Sequence, residues 1–212
     1  MAEWVGYCYY WTFTVDRAVV TNRTSRGNSM SAQEFVLSRS WVRTGIGVGF
    51  FAILTALTAR ISIPLPFTPV PITLQVLAVL LAGLTLGAWA GAASQLTYLA
   101  AIAVGLPLTA KGLGGIAAFL SPTAGYLFAF APAAFVVGTL ARPGWRTWLA
   151  MLTGIGVIYL GGASWLAIWL GGDWGKAWSL GVAPFVGVDL AKAMVAAAVV
   201  DGARRWIRGE PR

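Results

Sequence analysis

Val182-Ala-Pro-Phe-Val-Gly-Val-Asp189-Leu-Ala-Lys192-Ala-Met-Val-Ala-Ala-Ala-Val-Val200 is apolar throughout, apart from one acid and one base three residues apart. A charged side chain at the centre of a membrane helix costs about 2.5–3.5 kcal/mol on insertion scales, so such groups face a partner, a cavity or a ligand. Spacing i, i+3 sets Asp189 and Lys192 on one helix face, where they neutralise each other and present donors and acceptors together. On these residues two readings stand: a polar ligand site inside a helical bundle, or an ion pair that locks helices without a ligand.

The rest of the chain agrees with a membrane setting. Only 10% of its 212 residues are charged and 58% are hydrophobic, whereas a soluble domain carries about 25% charged residues. That is too little charge to cover a water-facing surface. The length suits about six spans of roughly 20 residues with short connections. Gly and Ala are abundant, as expected where helices approach closely in lipid. The fold class is therefore an all-α integral membrane protein, a six-transmembrane-helix bundle.

The net charge of +8 would suit nucleic acid, but the basic residues sit at the ends of apolar segments rather than along one polar face, so no nucleic-acid partner is expected. There is no His, and Cys8 is the single cysteine. Disulfides within the chain, Cys/His zinc sites and Ser-His or Cys-His catalysis are excluded.

Residues 1–40 read as a separate tail, disordered or dispensable, because Trp4 to Trp11 is interrupted and Thr21 to Asn28 is polar and aperiodic. Glu3 near the start and Asp16-Arg17 after the aromatic run do not suit a signal peptide. Met30 offers an alternative start. Residues 41–203 form the expected membrane domain and 204–212 a basic cytoplasmic tail.

The spans run at about Trp41–Ile63, Ile72–Leu86, Ala90–Leu106, Pro122–Leu140, Trp148–Leu170 and Leu180–Val200. Between the first two, Pro64, Pro66, Pro69 and Pro71 call for a stiff, polyproline-like loop, either a lid or a rigid spacer. With both termini inside, the inner ends carry Arg39, Arg43, Arg142, Arg146, Arg204, Arg205, Arg208 and Arg212, with Arg17, Arg23 and Arg26 in the tail. The outer ends carry Arg60, Lys111 and Lys176. This positive-inside bias predicts a multi-pass cell-membrane protein with cytoplasmic termini.

The proline loop and the Gly-rich link from Pro107 to Ser121 then share the outer side with the entrance to the Asp189–Lys192 site. Gly114 and Gly115 expose backbone N–H groups and can wrap a small molecule, or simply join two helices. Lys111 either pairs with a substrate carboxylate or lies at the headgroups. Gln75, Gln95 and Tyr98 are either ligand contacts or interhelical links. Ala52 and Ala56 make a small-residue face on the first span.

Pro69-Val-Pro71-Ile-Thr73-Leu-Gln75, Gly105-Leu-Pro107, Gly112-Leu-Gly-Gly115, Ser121-Pro-Thr-Ala-Gly-Tyr126 and Asp189-Leu-Ala-Lys192 occur in this order. Together, over roughly Gly45 to Val200, they resemble the BioY family, the biotin-binding S components of energy-coupling-factor (ECF) transporters. The resemblance implies the S-component type of bundle and high-affinity capture of biotin from outside. It also implies docking to a transmembrane scaffold with two ATPase subunits, with Ala52 and Ala56 matching the family's docking face and Asp189 and Lys192 its Asp-x-x-Lys.

Biotin's chemistry suits these residues. Asp189 can accept a ureido N–H and Lys192 can donate to the ureido carbonyl, while Tyr98, Phe119 and Tyr126 supply walls. The carboxylate lies toward Lys111 or the loop N–H groups, or in the reverse pose on Lys192. The expected substrate-binding set is Asp189, Lys192, Lys111, Gly114, Gly115, Gln75, Tyr98, Thr123 and Tyr126, with no cofactor, no metal and no catalysed reaction. No Gly-x-x-x-x-Gly-Lys-[Ser/Thr] motif occurs, so ATP-driven work is supplied in trans. The alternatives are an S component for another small vitamin and a membrane assembly subunit without a ligand.

Overall fold

The computed structural model describes residues 32–142 and 144–208. Residues 1–31 of the tail expected over 1–40, and the last residues of the chain, Arg212 included, lie outside them. The chain divides into two units, Met1–Ile46 and Gly47–Arg212. Among the described residues the first holds only the start of the first helix, and the packing described below is that of the second.

The elements in order are α1 (Ala32–Arg60), β1 (Ser62–Ile63), β2 (Ile72–Thr73), α2 (Gln75–Leu86), α3 (Ala88–Ala103), α4 (Ile116–Phe119), α5 (Ala124–Leu140), α6 (Trp145–Trp169), α7 (Trp174–Gly181) and α8 (Val186–Arg208). Helices α1, α2, α3, α5, α6 and α8 stand where the six spans were expected.

Their lengths are less uniform than the sequence suggested. Trp41–Arg60 and Trp145–Trp169 are long and apolar enough to cross a membrane alone, and α7 with the Val186–Val200 part of α8 qualifies as a pair bent by 48°. Helix α2 has 12 residues and α5 has 17. At 1.5 Å per residue α2 is about 18 Å long, short of the roughly 30 Å hydrocarbon layer. It is shielded instead: Ala78, Val79, Leu80 and Ala82 are almost completely buried, and α2 packs against α3, α5 and α8.

Helices α5 and α6 cross closely through small residues. A Cβ on Gly125 would sit 2.4 Å from the Gly161 carbonyl and one on Gly161 2.7 Å from Ala129 Cβ. Small residues of this kind let membrane helices approach at backbone distance.

Two local features depart from expectation. The proline loop is not one extended path: Ser62 pairs with Thr73 and Ile63 with Ile72 in an antiparallel hairpin, so the prolines sit in the connection and leave the paired N–H groups free to bond. The last span is also broken. Helix α7 ends at Gly181, turns run from Val182 to Phe185, and α8 begins at Val186. Pro184 lacks the N–H that a continuous helix needs there and disfavours a helical residue before it.

Candidate functional site

Asp189 lies in the first turn of α8, and the i, i+3 spacing brings Lys192 Nζ to 2.7 Å from Asp189 Oδ1. Both residues are buried, 3% and 8% exposed. The pair does not stand alone. Lys192 Nζ also donates to the Thr73 carbonyl at 2.5 Å, and the Tyr159 hydroxyl of α6 donates to Asp189 Oδ2 at 2.7 Å. The charges are thus tied to the proline hairpin through β2 and to the opposing helix through Tyr159. Every buried side-chain nitrogen and oxygen among the described residues has a hydrogen-bond partner, as a low-dielectric interior requires.

This network forms one wall of a solvent-open pocket whose empty space, the open solvent in it included, is about 600 Å³. Helix α2 contributes Gln75 and Val76; α5 contributes Tyr126, Leu127 and Phe130; α6 contributes Ile158 and Tyr159. Phe185 enters from the break before α8, Val70 and Pro71 from the hairpin, Thr109 and Ala110 from the Gly-rich link, and Thr123 from the start of α5. The lining is therefore ionic at Asp189 and Lys192 and aromatic or aliphatic over most of the rest, with residues of the hairpin and the Gly-rich link among it. Such a lining suits a small molecule with one polar head and an apolar body.

Of the expected site residues, Asp189, Lys192, Gln75, Thr123 and Tyr126 line this cavity together. Tyr98 stands behind it: Gln75 Nε2 donates to the Tyr98 hydroxyl at 2.8 Å, which donates to the Leu108 carbonyl at 3.2 Å. Lys111 is exposed beside Ala110, outside the lining. Gly114 and Gly115 are not in the wall either. A Cβ on Gly114 would come within 2.5 Å of the Gly105 carbonyl, and Gly115 N donates to the Ile102 carbonyl at 2.7 Å. In this geometry the two glycines pack the link onto the end of α3.

Ala52 is turned inward as well. It is 8% exposed and packs with Val79, Tyr98 and Ile102, with Ala56 half-buried on the same cluster. The face that α1 leaves open carries Phe50, Ile53 and Leu57, because Thr55 and Ala59, fully buried, commit the opposite side to the bundle.

Sequence reasoning missed Tyr159, Phe130 and Phe185. Tyr159 carried a usable signal, a hydroxyl in the otherwise apolar Gly154-Ile-Gly-Val-Ile-Tyr159 run; the two phenylalanines carried none.

The BioY family model matches residues 27–209. A probable biotin transporter BioY from Pyrococcus horikoshii is 45% identical over 73% of this chain and 91% of its own length. The biotin transporter BioY from Thermotoga maritima is 42% identical over 74% of this chain and 94% of its own. Among solved structures, that of the S-component for biotin from an ECF-type ABC transporter superposes with a TM-score of 0.71 at 26% identity, covering 84% of this chain and 95% of that one.

Proposed function

The chain belongs to the BioY family, and from that premise we propose that it is the biotin-capturing membrane subunit of an ECF-type transporter, with the α8 cavity as its binding site. It binds and passes on biotin without covalent chemistry, and its partners are biotin and the ECF module of scaffold and ATPases. The observation that carries the site is the buried Asp189–Lys192 pair opening on an aromatic-walled cavity.

The donor count supports a ureido head at that pair. Lys192 has three N–H donors and spends two of them on Asp189 and Thr73, which leaves one for the ureido carbonyl. Each Asp189 oxygen accepts one bond, from Lys192 or from Tyr159, and keeps a lone pair for a ureido N–H. Charge assistance makes such bonds about twice as strong as neutral ones. Tyr126, Phe130, Phe185 and Ile158 give the fused rings and the alkyl chain apolar walls. The carboxylate then sits toward the mouth, on the side where Lys111 stands beside Ala110.

The hairpin and the Gly-rich link contribute to the cavity wall, and they lie at the end of the bundle that carries few basic residues. By the positive-inside rule this end faces outward and both termini are cytoplasmic, in a multi-pass protein of the cell membrane. Biotin is then captured from outside. The test is uptake of labelled biotin by cells that lack their own uptake system and express this chain with an ECF module. Accumulation above empty-vector cells, lost in the Asp189→Asn/Lys192→Met variant, is expected; accumulation no greater than in empty-vector cells, with the chain present in the membrane, would refute it.

A further inference from the structure

Thr109 and Ala110 belong to a loop, residues 105–115, whose two ends are bonded to the end of α3 through Leu106 N on the Ala101 carbonyl and Gly115 N on the Ile102 carbonyl. Gly105, Gly112 and Gly115 take φ angles of 103°, 70° and 61°, a region open to glycine at low cost. The segment closes on itself through Thr109, whose Oγ1 donates to the Leu113 carbonyl at 2.9 Å and accepts from Leu113 N at 2.8 Å. Just ahead of these wall residues, two adjoining carbonyls are gripped from other elements. Leu108 O accepts from Tyr98, and Pro107 O accepts from Arg60 Nη2.

Arg60 is the last residue of α1. One residue back, Ala59 is fully buried, and one turn further Thr55 donates to Gln95 Oε1 of α3 at 3.2 Å. The helix end that Arg60 rides on is therefore seated in the bundle, while its own side chain is exposed. A long basic side chain at a span end normally extends to the headgroups and water. Here it turns back onto a loop carbonyl 47 residues further along the chain.

We propose that Arg60 is a positioning residue for ligand retention, a clasp that ties the outer end of α1 to residues 105–115 and holds the Thr109–Ala110 wall closed on a bound molecule. The proposal rests on the biotin-site reading above. It also makes α1 a lever: displacement of the helix, by a partner pressing on its open face, passes through Arg60 to the cavity wall.

The test uses the purified full chain, with labelled biotin chased by excess unlabelled biotin. Arg60→Met keeps the apolar stem and removes the donors; Arg60→Lys keeps a donor. Dissociation should be about three- to tenfold faster in Arg60→Met, from the loss of one partly exposed charge-assisted bond. Association should stay within about twofold of the parent, since interface changes act mainly on dissociation. Arg60→Lys should restore most of the retention, which a purely structural loss would not predict. An unchanged dissociation rate in Arg60→Met, with binding weakened in Asp189→Asn, would overturn the clasp and leave the site standing. Parent-like binding by both variants would overturn the site and the clasp with it.

Discussion

Replacing Asp189 with Asn removes one charge from a buried ion pair. In the parent, Asp189 Oδ1 holds Lys192 and Oδ2 holds Tyr159, each at 2.7 Å. Asn offers one acceptor oxygen in place of two, and leaves the buried ammonium with hydrogen-bond acceptors but no counter-charge. Removing one partner of a buried ion pair destabilises by about 3–5 kcal/mol. For biotin, the loss is at least one charge-assisted hydrogen bond, about 1.5–3 kcal/mol. At 1.4 kcal/mol per decade this is a weakening of about 10- to 150-fold. The two effects separate in Asp189→Asn/Lys192→Met, where both charges go: stability should largely recover, since no buried charge is left uncompensated, whereas binding should not. The assay is titration calorimetry with biotin on detergent-solubilised protein, beside thermal unfolding of the same samples. Folded Asp189→Asn binding within a factor of two or so of the parent would refute the reasoning, as would recovery of binding in the double variant.

Tyr159→Phe deletes the hydroxyl that orients Asp189; biotin affinity should fall about tenfold with the fold intact, measured by the same calorimetry. Gly162→Ala would place a Cβ 2.2 Å from the Tyr126 ring, whose hydroxyl is fixed on the Gly181 carbonyl at 2.6 Å. Overpacking of this kind costs about 1–3 kcal/mol, and thermal unfolding should show it together with weaker binding. Asp173 accepts from Lys176 N at the start of α7; this bond, with the Lys176 side chain beside it, holds the carboxyl below its ordinary 3.8. A depressed carboxyl stabilises above its unfolded value and loses that contribution as pH falls through the folded one. Hydrogen-exchange protection of residues 174–181 should therefore be flat from about pH 8 to 5 and fall only below about pH 4, with a smaller change at high salt.

The ionic end of the site was readable because Asp189 and Lys192 are an acid and a base at helical spacing in a stretch with no other charge. Gln75 followed from its hydrogen-bonding amide and Tyr126 from its aromatic ring, and Thr123 stands with Tyr126 in the Ser121–Tyr126 motif that carries the family resemblance. Phe130 and Phe185 were not legible, since an apolar side chain in an all-apolar helix has no periodicity to say which face meets the cavity and which meets lipid. The same ambiguity affects Ala52: a small residue looks alike whether it lets a partner approach or lets its own bundle close, and in the structure it packs in one cluster with Val79 and Tyr98. The break before α8 did have a signal in Pro184, and α7 had one in Asp173 three residues before Lys176. Both were hidden by reading Leu180 to Val200 as a single hydrophobic run. The hairpin was hidden for a different reason, since proline spacing reports backbone stiffness but not which flanking residues pair.

The most direct test of the account is equilibrium titration of the purified chain, without ATP or any partner, with biotin and with thiamine and riboflavin as controls. The account predicts saturable, one-to-one binding of biotin alone. Folded protein that takes up no heat of binding from biotin, or that binds all three vitamins alike, would contradict it.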